Sequence, residues 1–174
     1  DMQLKKFLSI FFLSLFLSNA SLAEIPHFLD FKFILNSSNA GKKAQDYLKN
    51  TLNNGLKNIS AKEKKILDEE KKIISQKKVI SQEEYKKKVS DLRKKVLALQ
   101  KERNTLLDSV AKKRAKAKET LLKNLNPIVK DYMSEKKIRM VVDKKSLLLA
   151  EENLDITKDI MNLLNKKLKS INLD

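Results

Sequence analysis

The residues able to do chemistry are few, and their spacing does not gather them into a site. The chain of 174 residues has no Cys and one His, His27. Thiolate nucleophiles, thiolate metal sites and disulfide scaffolds are thereby excluded, and one imidazole cannot furnish both a triad base and a metal cluster. Glu63 and Glu70 lie one heptad apart, and carboxylates facing into a helical bundle can hold metal ions. The pair of helical Glu-x-x-His motifs that completes such sites is missing. Both therefore read as ion-pair partners for Lys across a hairpin, and His27, in an apolar run, reads as a core or strand-edge residue. No enzyme activity, metal or cofactor is expected. What the chain has in quantity is cation: 38 Lys+Arg against 22 Asp+Glu, a formal net charge of +16. Tracts such as Lys112-Lys113-Arg114-Ala115-Lys116-Ala117-Lys118 suit phosphate contact, yet no aromatic platform for bases accompanies them. Attraction of anionic partners is expected, and biological nucleic-acid binding is not.

The composition of the elements that carry these charges is unusual. Two Gly in the whole chain fall far below the usual ~7%, which argues against phosphate-cradling Gly loops and turn-dense all-β folds. At the start, Lys5 and Lys6 precede the apolar run Phe7–Leu17, and Ser21 and Ala23 stand as small residues ahead of a cleavage point. This is the pattern of a secretory signal peptide over residues 1–23. The apolar run spans only about 16 Å as helix at ~1.5 Å per residue, short of a ~30 Å hydrocarbon core. Cleavage after Ala23 removes Asp1 with Lys5 and Lys6, so the charge of the exported chain barely changes, and a chain without Cys is indifferent to an oxidising compartment.

Three zones follow. Ile25–Leu35 is rich in Phe, Leu and Ile and reads as a partly buried strand with Pro26 near its start; Phe28, Phe31 and Phe33 are assigned to the core. From about Ser38 to Asn126 the period is helical. Tyr85, Val89, Leu92, Val96, Leu99, Arg103, Leu106 and Val110 alternate steps of four and three, a heptad seam with one polar member. Upstream, Ile59, Ile66, Ile73 and Ile80 repeat every seventh residue, while the companion row turns polar at Glu63, Glu70 and Lys77. Ser81-Gln82-Glu83-Glu84 reads as a capping box, so a second helix starts there and Gln76–Ile80 is a reversal. Arms of this length run roughly 50–65 Å at 1.5 Å per residue, longer than a compact domain of this size is wide, so the hairpin must project. From Pro127 onward, Lys137–Asp143 and Ser146–Ala150 read as strands, the first bringing Ile138, Met140 and Val142 to the core. Asp155 is read as the N-cap of a last helix that buries Ile156, Ile160, Leu163, Leu164 and Leu168. So few strands leave open edges and bury little, which predicts that several chains pool them. The expected fold is mostly α with a small β part. A long antiparallel two-helix coiled-coil arm (residues 43–126, tip near 76–84) projects from a small β body (24–42 and 127–174) shared between subunits.

At this point the chain resembles the Skp/OmpH family of periplasmic chaperones over essentially its whole exported length. Ile34-Leu35-Asn36-Ser37-Ser38-Asn39-Ala40-Gly41-Lys42-Lys43-Ala44-Gln45 is similar to that family's strand, turn and Gly-Lys helix entry. Ile80-Ser81-Gln82-Glu83-Glu84-Tyr85 is similar to its arm tip, and Ile138–Asp143 with Leu154-Asp155-Ile156-Thr157 to its second strand and closing helix. Asn39 departs from a proline common in the family. The resemblance implies a homotrimer whose arms enclose a cavity, and ATP-independent holding of unfolded outer-membrane proteins in the periplasm. It also implies contact with lipopolysaccharide or other anionic lipid, although the family's cation cluster does not map onto this chain residue by residue.

Charge and pattern add detail of their own. Residues 61–120 carry 20 Lys+Arg and 10 Asp+Glu, so most of the excess lies on the arm. Lys86, Lys87, Arg93, Lys94, Lys112, Lys113 and Arg114 are expected to attract anionic clients. Leu67, Ile74, Leu97 and Leu107, outside the seam, are expected to supply weak apolar contacts. The alternative is a structural coiled-coil envelope protein with no chaperone activity.

Overall fold

Asp30 and Ser38 organise the opening of the fold. The computed structural model describes residues 25–173, and the expected signal segment lies outside them. Strand β1 is only His27–Leu29. Asp30 then caps a short helix α1, Phe31–Ser37, its Oδ1 accepting the Phe33 amide at 2.8 Å. The strand expected over residues 25–35 is therefore cut at Leu29: a carboxylate that satisfies an orphan helical amide outweighs the β-propensity of the Phe and Ile that follow. Ile34 faces the core, whereas Phe33 turns outward and is 51% exposed, which corrects its expected core position.

Ser38 is buried and repeats the device, its Oγ accepting the Gly41 amide at 3.1 Å to open α2, Asn39–Gln76. The chain reverses at 77–80, and Ser81 opens α3, Gln82–Lys136, accepting the Glu84 amide at 3.2 Å. The helix thus starts where it was expected, on the Ser81 half of the capping box. Helix α3 does not stop before Pro127; it continues to Lys136. Proline removes one backbone donor, to the Lys123 carbonyl, but Lys123 and Pro127 are both exposed while Leu121, Leu125 and Ile128 hold the opposite face in the core. The freed carbonyl thus lies on the wet side. Lys137 ends the helix in the left-handed region at φ 56°, and the Ile138 amide returns to the Met133 carbonyl at 2.8 Å. This closure normally uses glycine, so nothing in the sequence marked it.

The expected strand over 137–143 shortens to β2, Val141–Asp143. It pairs in parallel with β1, His27 opposite Val141 and Leu29 opposite Asp143. On the other edge of β1 the Ile156 amide reaches the Phe28 carbonyl at 2.9 Å. The expected strand over 146–150 is absent: Lys144–Ser146 forms a 3-10 turn, and the residues beyond it run unpaired to a second such turn, Glu152–Leu154. Helix α4 is Thr157–Lys167.

Two apolar clusters hold this together. At the base, Leu29, Ile34 and Ala40 meet Leu121, Leu125 and Ile128 of α3 and Ile156, Ile160 and Leu164 of the last segment. Farther along, Ala44 and Leu48 meet Val110, Ala117 and Leu173. Phe28 is buried, with the Lys144 ammonium 5.8 Å from its ring centre. Phe31 and Ile138 pack on the edge of the base cluster. Val142 is half-buried, and Met140, like Phe33, is exposed in the single chain, at 58%. In the last helix Leu163 faces solvent and Leu168 packs at the margin, so the expected stripe narrows to Ile156, Ile160 and Leu164.

Asp155 joins three of these elements. Its Oδ1 accepts both the amide and the hydroxyl of buried Thr157, and the Thr157 hydroxyl also accepts the Asp30 amide at 2.8 Å. It thus caps the last helix from one residue ahead of the assigned Ile156 cap. Burial raises the Asp155 carboxyl, but the hydrogen bonds from Thr157 and the Lys144 ammonium outweigh it and hold the group below its ordinary value. Stability from this carboxylate is therefore complete above about pH 4 and is lost as pH falls through the depressed value. Asp155→Ala is expected to cost about 1–3 kcal/mol, the loss of a cap plus the stranding of a buried hydroxyl. Urea midpoints at pH 7 and pH 3 check this: the gap between wild type and variant should narrow in acid.

Candidate functional site: the surface of the helical hairpin

Ile59 and Ile73 of α2 are buried, as are Leu99 and Val110 of α3. Ile66, Ile80, Tyr85, Val89, Leu92 and Leu106 are partly covered, and Val96 is half exposed. The seam is thus an isoleucine row, buried at Ile59 and Ile73 and partly covered at Ile66 and Ile80, facing Leu92, Leu99 and Leu106, with Val96 and Arg103 on one flank. Gly55 brings the helices close there, since a Cβ on it would stand 2.5 Å from Leu106 Cδ2.

Three ion pairs cross the hairpin, and the shift from 62–102 to 69–95 follows its antiparallel sense: seven residues up α2 is seven residues down α3. Lys62 bridges Glu102, and Glu69 bridges Lys95, each at 2.7 Å; Glu63 bridges Arg103 at the same distance. The Glu63 partner is thus Arg103, the polar seam member, rather than a lysine. Glu70 is exposed. All three pairs are largely solvated, so each is worth only ~0.2–1 kcal/mol. They set register more than stability. Among the described residues no three acidic or His side chains come together as a metal site. His27 lies outside the hairpin, beside β2, with its Nδ1 buried and without a hydrogen-bond partner.

The residues expected to meet clients are spread over the hairpin rather than clustered. Leu67, Ile74, Leu97 and Leu107 are all exposed. So are Lys86, Lys87, Arg93, Lys94, Lys112 and Arg114. Lys94 and Lys112 are partly neutralised within their own helix by Asp91 and Asp108, and the Asp108 hydrogen bond raises Lys112. Lys113 is partly covered: its ammonium donates to the Tyr47 hydroxyl at 2.9 Å and lies 5.0 Å from that ring. It serves the packing of the hairpin base as much as its surface. Leu56, one heptad before Glu63 on α2, is also half exposed; the polar turn of its row at Glu63 is the sequence signal that this row leaves the seam.

Fold and surface together define a class: a long basic helical hairpin standing on a small mixed base. The model of the OmpH family, described as "Outer membrane protein (OmpH-like)", matches residues 27–164. The chain belongs to that family. It is also similar in fold to a crystal structure of an OmpH-like protein from Caulobacter crescentus CB15, with a TM-score of 0.80 at 20% identity, covering 86% of this chain and 90% of that one. No curated protein sequence matches it. Family membership places the chain among non-catalytic periplasmic chaperones of the holding type.

Proposed function

We propose that the protein is an ATP-independent holdase that keeps unfolded outer-membrane proteins from aggregating, gripping them between the basic hairpins of a homotrimer after export through a cleaved signal peptide. The observation that carries this reading is the hairpin surface, where half-exposed leucines and isoleucines stand among lysines in excess of their counter-charges. Cations gather an anionic chain from a distance, and scattered apolar contacts hold it weakly enough to let go without ATP. The same cations suit anionic lipid or lipopolysaccharide headgroups.

The trimer draws support from what the single chain leaves open. Leu148 and Leu149 are 104% and 92% exposed, at a bend of the chain beside Phe28 and Asp155. An apolar stretch in that state lacks cover within one chain, and a neighbouring chain is the economical place to bury it.

The test is dilution of a urea-unfolded outer-membrane β-barrel with and without the exported chain. Suppressed light scattering at stoichiometric trimer is the expected result. Aggregation that proceeds unchanged at several-fold excess would instead support a structural envelope role. Raising salt from 50 to 500 mM should slow capture, since the Debye length falls several-fold over such a range; capture indifferent to salt would remove the electrostatic part.

A further inference from the structure

The segment that follows the last helix is seated on the molecule, although it forms neither helix nor strand. Helix α4 ends at Lys167, and Leu168 turns the chain into extended backbone at φ −120° and ψ 108°. Asn165 fixes where this exit lies. Its Oδ1 accepts the Asn39 amide at 2.8 Å, in the first turn of α2, and its carbonyl accepts from the Lys169 ammonium at 2.6 Å. Beyond that point burial alternates: Ile171 is partly covered, Asn172 is exposed and Leu173 is only 4% exposed. In an extended chain residues two apart share a face, so Ile171 and Leu173 press on the same surface.

That surface is the root of the hairpin. Leu173 packs with Ala44 and Leu48 of α2 and with Val110 and Ala117 of α3. Positions four or seven apart lie on one helix face, so each helix presents one wall of a slot. Two of the four wall residues are alanines, and Leu173 supplies the bulk they lack. Leu168 packs on the base cluster, and Ile171 packs against both clusters, the one side chain among the described residues to do so. The segment therefore runs as a strap from base to arm. Burial of its apolar side chains holds it down, while ordering residues 169–173 costs entropy at each one, and no strand ladder adds to the balance. The helices beneath have their own backbone bonds and seam, so the strap can leave while they stay folded.

We infer that residues 168–173 are a latch: a strap that docks Ile171 and Leu173 at the hairpin root, ties the arm to the base while seated, and releases without unfolding either. The slot is thus a docking site for an extended segment with apolar side chains two residues apart, and its resident occupant is this chain's own. The strap lies beyond residue 164, the last that the family match includes, so family membership does not speak for it. The latch also stands apart from the holdase reading, since it concerns how firmly the arm is set on the base, whatever the arm holds.

The chain has no Cys, so single thiols in the full exported chain report on the latch. Leu173→Cys should react with a maleimide ~10–100-fold more slowly than exposed Ser170→Cys. Urea below the unfolding transition should leave that rate unchanged, the mark of a local opening. Ile160→Cys, at the buried centre of the base, is the reference for global unfolding and should be better protected and steeply urea-dependent. Leu173→Cys as reactive as Ser170→Cys would mean that the strap has no seat. Leu173→Cys as protected and as urea-dependent as Ile160→Cys would mean a permanent part of the core. Either result overturns the latch. The tie to the arm is read by energy transfer between dyes on Lys87→Cys, near the tip, and Lys158→Cys on α4, with labelled chains diluted in unlabelled copies. Ile171→Asp with Leu173→Asp should widen the distribution of that distance about 2-fold, with helix content unchanged by circular dichroism. If the charged pair unfolds the chain, Ile171→Ala with Leu173→Ala gives the same reading by loss of contact alone. An unchanged width overturns the tie.

Discussion

Gly41→Ala is expected to be the most damaging single substitution in the chain, although alanine is by far the better helix former. An added Cβ would collide with the Leu35 carbonyl oxygen and lie 2.9 Å from both the Leu35 carbonyl carbon and Ser38 Oγ. The obstacle is backbone of the preceding helix, which can retreat only by opening the α1–α2 junction. That junction holds fully buried Ile34, Ser38 and Ala40, and the Ser38 cap on Gly41 itself. Overpacking plus the lost cap should cost on the order of 3 kcal/mol or more, against a propensity gain of only ~1 kcal/mol. Gly55→Ala is the control. Its Cβ would meet Leu106 at 2.5 Å, but the atom met is the tip of a flexible side chain, so rotation of Leu106 and the propensity gain should keep the net change within about 1 kcal/mol. Urea midpoints at one fixed protein concentration separate the two. A Gly41→Ala protein no less stable than Gly55→Ala would refute the tight junction.

The second large effect is one of assembly. Leu148→Asp with Leu149→Asp is expected to leave each chain folded and to abolish association. Both side chains are already solvated in the single chain, so nothing within it is lost. In the proposed trimer each leucine buried at a neighbour contributes ~1.5–3 kcal/mol. Removing two per interface should raise the dissociation constant at least about 100-fold, and placing charge in a desolvated seam raises it further. Sedimentation velocity together with far-UV circular dichroism reads both halves of this expectation. A double variant that sediments like the wild type would remove the leucine segment from the interface.

The parts of the fold that periodicity governs could be read from the sequence, and the parts that single hydrogen bonds govern could not. Ile59, Ile66 and Ile73 announce a helix face because a repeat of seven has few other causes, and Ser81 with Glu84 announces a helix start for a local reason. The helix at Phe31–Ser37 was hidden because its apolar residues suit a strand equally well, and only the Asp30 cap decides. Pro127 misled in the opposite direction: a helix breaker is harmless when the carbonyl it orphans is wet. The segment after Ser146 has the composition of a strand yet no ladder to join within one chain. At the hairpin surface, the cations and exposed leucines were evident from composition and spacing. Which acids cross to the other helix was not, because Glu63 meets Arg103 and Glu69 meets Lys95 only once the register of the two helices is fixed.

The parallel pairing of His27 with Val141 has a consequence for the order of folding. The reversal at 77–80 joins residues close in sequence, and each further turn of α2 and α3 adds contacts at small extra loop cost. The hairpin therefore closes as a zipper, from tip to base. Strand β1, made near the beginning of the chain, waits through all of this for a partner made near its end, and the Asp30–Thr157 bond must wait longer still. Until the last helix arrives, the base cannot form. Joining first and last thus acts as a timing device: a truncated chain would make the hairpin but never the base that closes it.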